Sequence, residues 1–543
     1  MEREKEGMNE DIFEIEEKDL LGRTGKLYTK HGTVNTPTLA PVINPSKNVL
    51  EPTKIREVGF NLLMTNAYIV RKSFGKLALE LGVHKLLGVD SPVMTDSGAY
   101  QLLVYGSVEV DPLDIVKYQI SLGSDIGVIL DIPTKKDSKK EQVRKEVEET
   151  IKRAEEALKL DKKGMLLVGP VQGGTYVDLV AYAASKLSKL DFEIYAVGGP
   201  VQIMENYEFK DLVRMVMAAK LNLPLGKPLH LFGAGHPLIL PLAVAMGVDM
   251  FDSASYALYA KDLRYMTPYG TLRVREMVDL PCNCPVCSSY DIESFREMPY
   301  QELVEKLSQH NLYVLKAELR SIREAIHEGK LWELLEIKAS THPSVMEALL
   351  EFRKYVKFVE KHHPVTRSKI TGLFFTSGIS RSRPEVYRHL YNLKEKYVIP
   401  RKKVLVLVQE TKQKPFSRYG WIADFVEKLG AEEHFLEGIH IAILSSAFSI
   451  IPLDLNGFYP LSQYEVSTRV MVDSRYEIAS DVEWYVRSMN YSKVFIIYHD
   501  LPKDVIELII TKVRRAGIEV FAFKVDLRPK DIDRMIMLIK ELT

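Results

Sequence analysis

Between residues 37 and 255 the chain alternates two hydrophobic patterns. Short, nearly continuous apolar runs recur at PTLAPVI (37–43), NLLMTNA (61–67), PVMTDSG (92–98), GVILDIP (127–133), MLLVGPVQGG (165–174), IYAVGG (194–199), LHLFGAG (229–235) and MFDSAS (250–255). Between them lie stretches with apolar residues at helical spacing, such as PLDIVKYQISLG (112–123), KKEQVRKEVEETIKRAEEALKL (139–160) and EFKDLVRMVMAAKL (208–221). A run apolar at every position predicts a strand covered on both faces, and alternation with helices predicts a parallel sheet. Eight such repeats match a closed (β/α)8 TIM barrel. A doubly wound open sheet is the competing architecture, and fewer strands would mark it.

The flanking segments read differently. A charged leader (1–11) and a hairpin around LGRTGKLYTKHGTVNTP (21–37) precede the barrel. Residues 256–345 carry a cysteine cluster followed by long helical patterns, predicting a zinc-binding helical subdomain that closes a first domain over 1–345. Residues 346–370 read as a helix and a basic linker. From 371 to 543 the alternation resumes with GLFFTSG, KVLVLVQE, HIAILSSAF, KVFIIYHD and VFAFKV, predicting a smaller three-layer α/β domain.

Composition narrows the class. A chain of 543 residues has ample length for several domains, and 46% hydrophobic with 27% charged residues is ordinary for a globular protein. Zero net charge offers no global field for nucleic acid, although a local basic face needs none. The N-terminus is too charged for a signal peptide, and PLILPLAVAMGV (237–248) is too short to span a bilayer, so a cytoplasmic protein with no membrane partner is expected. No GxGxxG or Walker-type loop is present, which weighs against a nucleotide cofactor.

Two constellations carry chemistry. On a (β/α)8 barrel the reacting groups sit where strands end, and the strand ends supply Asp96, Asp131, Gln172, Gly198, Gly199 and Asp252. Any one of these aspartates could simply cap a helix, but several converging on one mouth favour a site. All three cysteines, Cys282, Cys284 and Cys287, fall within six residues, and His310 follows in a helical pattern. Three thiolates and an imidazole form the Cys3His set of a closed tetrahedral zinc site, with His327 as the alternative fourth ligand. In the second domain Arg381, Arg383, Lys412, Lys414 and Arg418 lie near Phe416 and Tyr419, a basic and aromatic combination able to contact RNA.

Together TDSGAYQ (95–101), ILDIPT (129–134), VQGG (171–174), AVGG (196–199), HLFGAGHP (230–237), FDSASYALYAKD (251–262) and CNCPVC (282–287) resemble the tRNA-guanine transglycosylases over roughly residues 12–345. The wording of HLFGAGHP and FDSASYALYAKD is similar to the archaeal branch, which replaces guanine 15 in the D-arm of tRNA with 7-cyano-7-deazaguanine (preQ0) on the way to archaeosine. The resemblance implies Asp252 as nucleophile, Asp96 as acid/base, and Asp131, Gln172 and the backbone at Gly198 and Gly199 as readers of the base. It further implies that Tyr100 stacks on the base, that Ser97 and Gln101 support the loop, and that zinc is structural. Relatives are commonly homodimers. Archaeal relatives usually end in an RNA-binding PUA domain, whereas this chain ends in a helical pattern, so a separate PUA-domain subunit becomes a candidate partner. Residues 371–543 resemble a domain of archaeosine synthase, but QETKQKPFS (409–417) lacks the cysteine of that enzyme's motif. The alternatives are a non-catalytic tRNA-binding subunit and an archaeosine-synthase-like enzyme acting after base insertion.

Overall fold

The computed structural model describes residues 12–99, 111–367, 369–398, 402–430, 438–488, 490–526 and 529–542. They form two compact units, one comprising the described residues up to 355 with 362–364, the other 356–361 with the described residues from 365 onward.

The first unit is built on strands β4 (Thr38–Ile43), β5 (Leu63–Asn66), β6 (Val93–Asp96), β7 (Ile126–Val128), β8 (Leu166–Val171), β9 (Ile194–Val197), β10 (Leu229–Leu231) and β11 (Met250–Ser253). All eight apolar runs are strands, paired in sequence order and in parallel, and β11 closes onto β4 through Met250 opposite Thr38. Side chains two apart on a strand share a face. Ala40, Met64, Met94, Ile126, Val128, Leu166, Val168, Ile194, Ala196 and Met250 accordingly fill the barrel interior. The same parity carries Asn66, Asp96, Gln172 and Asp252 inward at the strand ends.

The N-terminal hairpin belongs to an antiparallel sheet of β1 (Phe13–Asp19), β2 (Gly22–Thr29) and β3 (Gly32–Thr36). Its Leu27 and Val34 join the barrel core. At the start of β7, buried Asp125 clips this sheet in place. Its carboxylate accepts from the backbone N–H of His31 (2.9 Å) and of Val93 (2.9 Å), and meets the imidazoles of His31 (2.8 Å) and His84 (2.9 Å).

Outer helices present apolar stripes to the sheet. In Lys140–Ala157, for example, Val143, Val147, Thr150, Ile151, Ala154 and Ala157 are buried. The helical stretch Ala67–Leu87 is interrupted at Gly75 and Gly82, whose φ angles of 52° and 76° no helix accommodates. Beyond the barrel, a 29-residue helix (Tyr300–Glu328) packs on Ser255–Lys261. The segment 346–370, read as a helix and a basic linker, begins inside a helix. Helix Pro343–Phe352 buries Val345, Ala348, Leu349 and Phe352 against helix Phe209–Lys220, and Arg214 pairs with Glu351 at 3.0 Å.

The second unit holds a five-stranded sheet in the order β14 (Ser449–Pro452), β13 (Ile439–Ser445), β12 (Val404–Gln409), β15 (Lys493–Tyr498), β16 (Glu519–Lys524), parallel except for β14. Alternate residues of β12 feed two cores, Val406 and Val408 on one face, Leu405 and Leu407 on the other, giving three layers. The basic and aromatic residues expected to contact RNA divide between interior and surface, with Lys414 half-buried. Arg381 is buried, donating to Ser449 at 2.7 Å and pairing with Asp481 at 3.3 Å; Arg383 is buried beside Glu385, and Phe416 is fully buried. Lys412, Arg418 and Tyr419 are exposed. Among the described residues no helix is long and apolar enough to cross a membrane.

Candidate active site

Asp96 ends β6 and is only partly open to solvent. Its Oδ2 accepts from the Asn66 side-chain amide at 2.8 Å and from the Gly98 N–H at 3.2 Å. Burial, then the negative charges of Asp131 and Asp252, push its carboxyl up to about 7 against the pull of the Gly98 and Ser97 backbone N–H groups. Asp96 ends β6, Asp252 lies on β11 and Asp131 follows β7, so the three carboxylates gather at the C-terminal mouth of the barrel. At Asp131, burial raises the carboxyl to about 6, opposed by a hydrogen bond from the Gln172 side-chain amide. Gln172 is itself buried, and its Oε1 accepts from the Thr134 N–H at 3.4 Å. Ser97 is buried and donates to the Ile129 carbonyl at 3.1 Å, tying the loop after β6 to the strand end beside it.

Gly198 follows β9 directly beneath this pair. A Cβ there would lie 2.2 Å from Gln172 Nε2, so only glycine lets the carboxamide reach across. Its N–H donates to Val171 O at 2.9 Å, and Gly199 turns the chain with a left-handed φ of 75°. Asp131, Gln172 and this bare backbone form a flat, polar, desolvated edge suited to a planar hydrogen-bonding ligand. Tyr100 and Gln101 lie outside the described residues.

Asp252, inward on β11, is held differently. Its Oδ1 accepts from His230 Nε2 at 2.8 Å and from the Gly233 N–H at 3.0 Å. His230 and Asn66, two of the donors that orient these carboxylates, were not singled out in the sequence. Their signal was available as polar residues at inward parity within apolar strands, His230 standing between Leu229 and Leu231.

Away from the mouth, Cys282, Cys284, Cys287 and His310 offer donor atoms that all lie within 4.8 Å of one another. Nδ1 of His310 lies 3.5 Å from Cys284 Sγ and 3.3 Å from Cys287 Sγ. Its Nε2 meets the Met266 carbonyl at 2.9 Å, which turns Nδ1 toward the thiols, and Tyr265 stacks on the ring at 3.7 Å. This buried set could hold a metal ion, whereas His327 lies on the surface against Glu17. Among the described residues one further group, His31, His84 and Asp125, has metal-like composition, but its donor atoms already satisfy one another at the opposite end of the barrel.

An eight-stranded parallel barrel with carboxylates at its strand ends and a cysteine–histidine cluster beyond it has the architecture of a (β/α)8 enzyme. Residues 18–344 match the model of the family described as queuine tRNA-ribosyltransferase, and the chain belongs to that family of pentosyl-transferring enzymes. Residues 386–542 match a domain of unknown function. A protein named tRNA-guanine(15) transglycosylase from Pyrobaculum aerophilum is 42% identical over 90% of this chain and 96% of its own length. Proteins of the same name from Sulfolobus acidocaldarius (40% identical; 89% of this chain, 95% of its own) and Methanocaldococcus jannaschii (42%; 84% and 68%) are similar too.

Proposed function

We propose that this chain exchanges guanine 15 of tRNA for 7-cyano-7-deazaguanine through a covalent glycosyl-aspartate on Asp252. The observation that carries the reading is the division of labour between two inward carboxylates, Asp252 anchored through one oxygen and Asp96 poised near neutrality. Asp252 attacks C1′ of the target ribose as the C1′–N9 bond breaks, and Asp96 gives its proton to the departing guanine. In the return step Asp96 takes the N9 proton of the incoming base, N9 attacks C1′, and the Asp252 carboxylate is released. One N-glycosidic bond replaces another, so the cycle needs no oxidant or nucleotide.

Asp131 and Gln172 face the base edge. A carboxylate accepts from N1–H and the 2-amino group together, an edge that guanine and 7-deazaguanines share. The target nucleotide leaves the tRNA fold to reach the mouth. Cys282, Cys284, Cys287 and His310 are the ligands of a structural Zn2+. Bond lengths of about 2.3 Å to sulfur and about 2.0–2.1 Å to nitrogen put tetrahedral N and S ligands roughly 3.6 Å apart, close to the separations found here. Bound there, the ion cross-links the 282–287 loop to the long helix. The first unit is the catalytic domain, and the second, with Lys412, Arg418 and Tyr419 exposed, positions RNA. A cytoplasmic homodimer, assisted by a separate RNA-binding subunit, completes the reading.

The test is incorporation of labelled guanine into a tRNA transcript by the purified chain. Incorporation that disappears when guanine 15 is replaced, and again in Asp252→Ala, supports it; incorporation that persists in Asp252→Ala rejects it.

A further inference from the structure

A fully buried imidazole inside a barrel is costly unless its polar atoms are used. His230 sits on β10 opposite Ala196 of β9 and Met250 of β11, with no exposed surface. Among the described residues its Nδ1 has no hydrogen-bond partner, and its ring is flanked by Phe232 at 4.8 Å. The one polar contact is Nε2 with Asp252 Oδ1. An ionised carboxylate only accepts, so Nε2 carries the hydrogen in that contact.

The second donor converges on the same oxygen. Gly233 has a left-handed φ of 68°, and a Cβ there would lie 2.6 Å from Val201 Cγ2, so the turn that aims its N–H at Asp252 is available to glycine alone. Both donors therefore bind Oδ1. Among the described residues none reaches Oδ2.

We infer that His230 is a positioning residue: with the Gly233 N–H it locks the Asp252 carboxylate by Oδ1 and leaves Oδ2 as the attacking oxygen. The inference rests on the reading of Asp252 as nucleophile. The lock removes rotation about the Asp252 side chain, so its effect falls on formation of the C1′–O bond and not on docking of the incoming base, which Asp131 and Gln172 face.

Three variants test it in the labelled-guanine assay, with kcat, KM for the base and the rate of covalent chain–tRNA adduct formation read together. His230→Gln keeps an N–H near the position of Nε2, His230→Asn carries the same amide on a shorter arm, and His230→Leu removes it. Loss of an oriented donor costs roughly 10²–10³-fold in rate at comparable sites. His230→Asn and His230→Leu are therefore expected to lose about 10²-fold or more in kcat and adduct rate, with KM for the base within about threefold. His230→Gln is expected to recover to within about tenfold of the parent. Glutamine and asparagine variants of equal activity overturn the inference, and so does a rise in KM that accounts for the loss. This pair has similar polarity, so the comparison holds even if the leucine variant fails to fold. Exchange that persists in Asp252→Ala overturns the nucleophile reading and the inference with it. Exchange lost in Asp252→Ala but intact in His230→Leu overturns the inference alone.

Discussion

Asp96 shows how the surroundings of one residue set its chemistry. With its carboxyl near 7, it holds a proton in a large fraction of molecules at neutral pH, where an ordinary aspartic acid near 3.9 holds almost none. That tuning has a stability cost whose sign is fixed. The folded-state value lies above the unfolded one, so this group's contribution is intact below the unfolded value and is lost as pH rises through about 7. Asp96→Asn is therefore expected to raise Tm by a few degrees at pH 8 and by little at pH 4, while exchange falls by about 10²-fold or more. Thermal scans at the two pH values check this; an equal shift at both would show that ionisation of Asp96 is not the cause. The carboxylates and Gln172 were legible in the sequence because each closes an apolar run. His230 and Asn66 were not, because a donor's value depends on which neighbouring strand brings an acceptor beside it, and that is tertiary information.

Elements divide into those the apolar pattern specifies fully and those it leaves half specified. The barrel strands belong to the first kind, since residues buried on both faces leave no other reading. Helix Pro343–Phe352 belongs to the second. Its amphipathic pattern says that one face is covered but not by what, so the helix itself is legible while its packing on the barrel's outer helices is not. Gly198 illustrates a constraint between elements. Replacing it with alanine forces the Gln172 carboxamide off Asp131, so Gly198→Ala is expected to raise KM for the base by about tenfold or more, with a smaller change in kcat. Steady-state kinetics with varied base checks the split. The cysteine–histidine clip is a second such constraint. On the reading of this cluster as a zinc site, chelation strips the metal from buried thiols and an imidazole, so prolonged chelation is expected to lower Tm by several degrees and release about one zinc ion per chain. Metal analysis alongside the thermal scan decides it, and an unchanged Tm after complete release would show that the clip adds no stability.

For the whole molecule, zero net charge means that affinity for a polyanion must come from local surfaces. Lys135 and Lys139 are exposed in the loop that follows β7, on the mouth side of the barrel, whereas Lys136 and Lys140 nearby are paired with Glu208 and Asp178. The double change Lys135→Ala, Lys139→Ala is expected to weaken tRNA binding uniformly across sequences and to lessen its salt slope by about two. Binding measured over a range of salt concentrations tests this. The two-unit division followed from the break in the β/α rhythm, and the second unit's three layers from its short apolar strands. Burial of Arg381 and Arg383 was hidden, because a basic residue in a loop sequence reads the same whether it reaches solvent or pairs with Asp481 or Glu385 inside.

Exchange through Asp252 requires that its carboxylate become covalently joined to the tRNA. The most direct measurement mixes the chain with tRNA in the absence of incoming base, denatures the mixture, separates it by electrophoresis and maps the linked peptide. A chain–tRNA adduct at Asp252, absent in Asp252→Ala and discharged when guanine is added, is expected. Exchange proceeding with no adduct, or an adduct mapped to another residue, would contradict it.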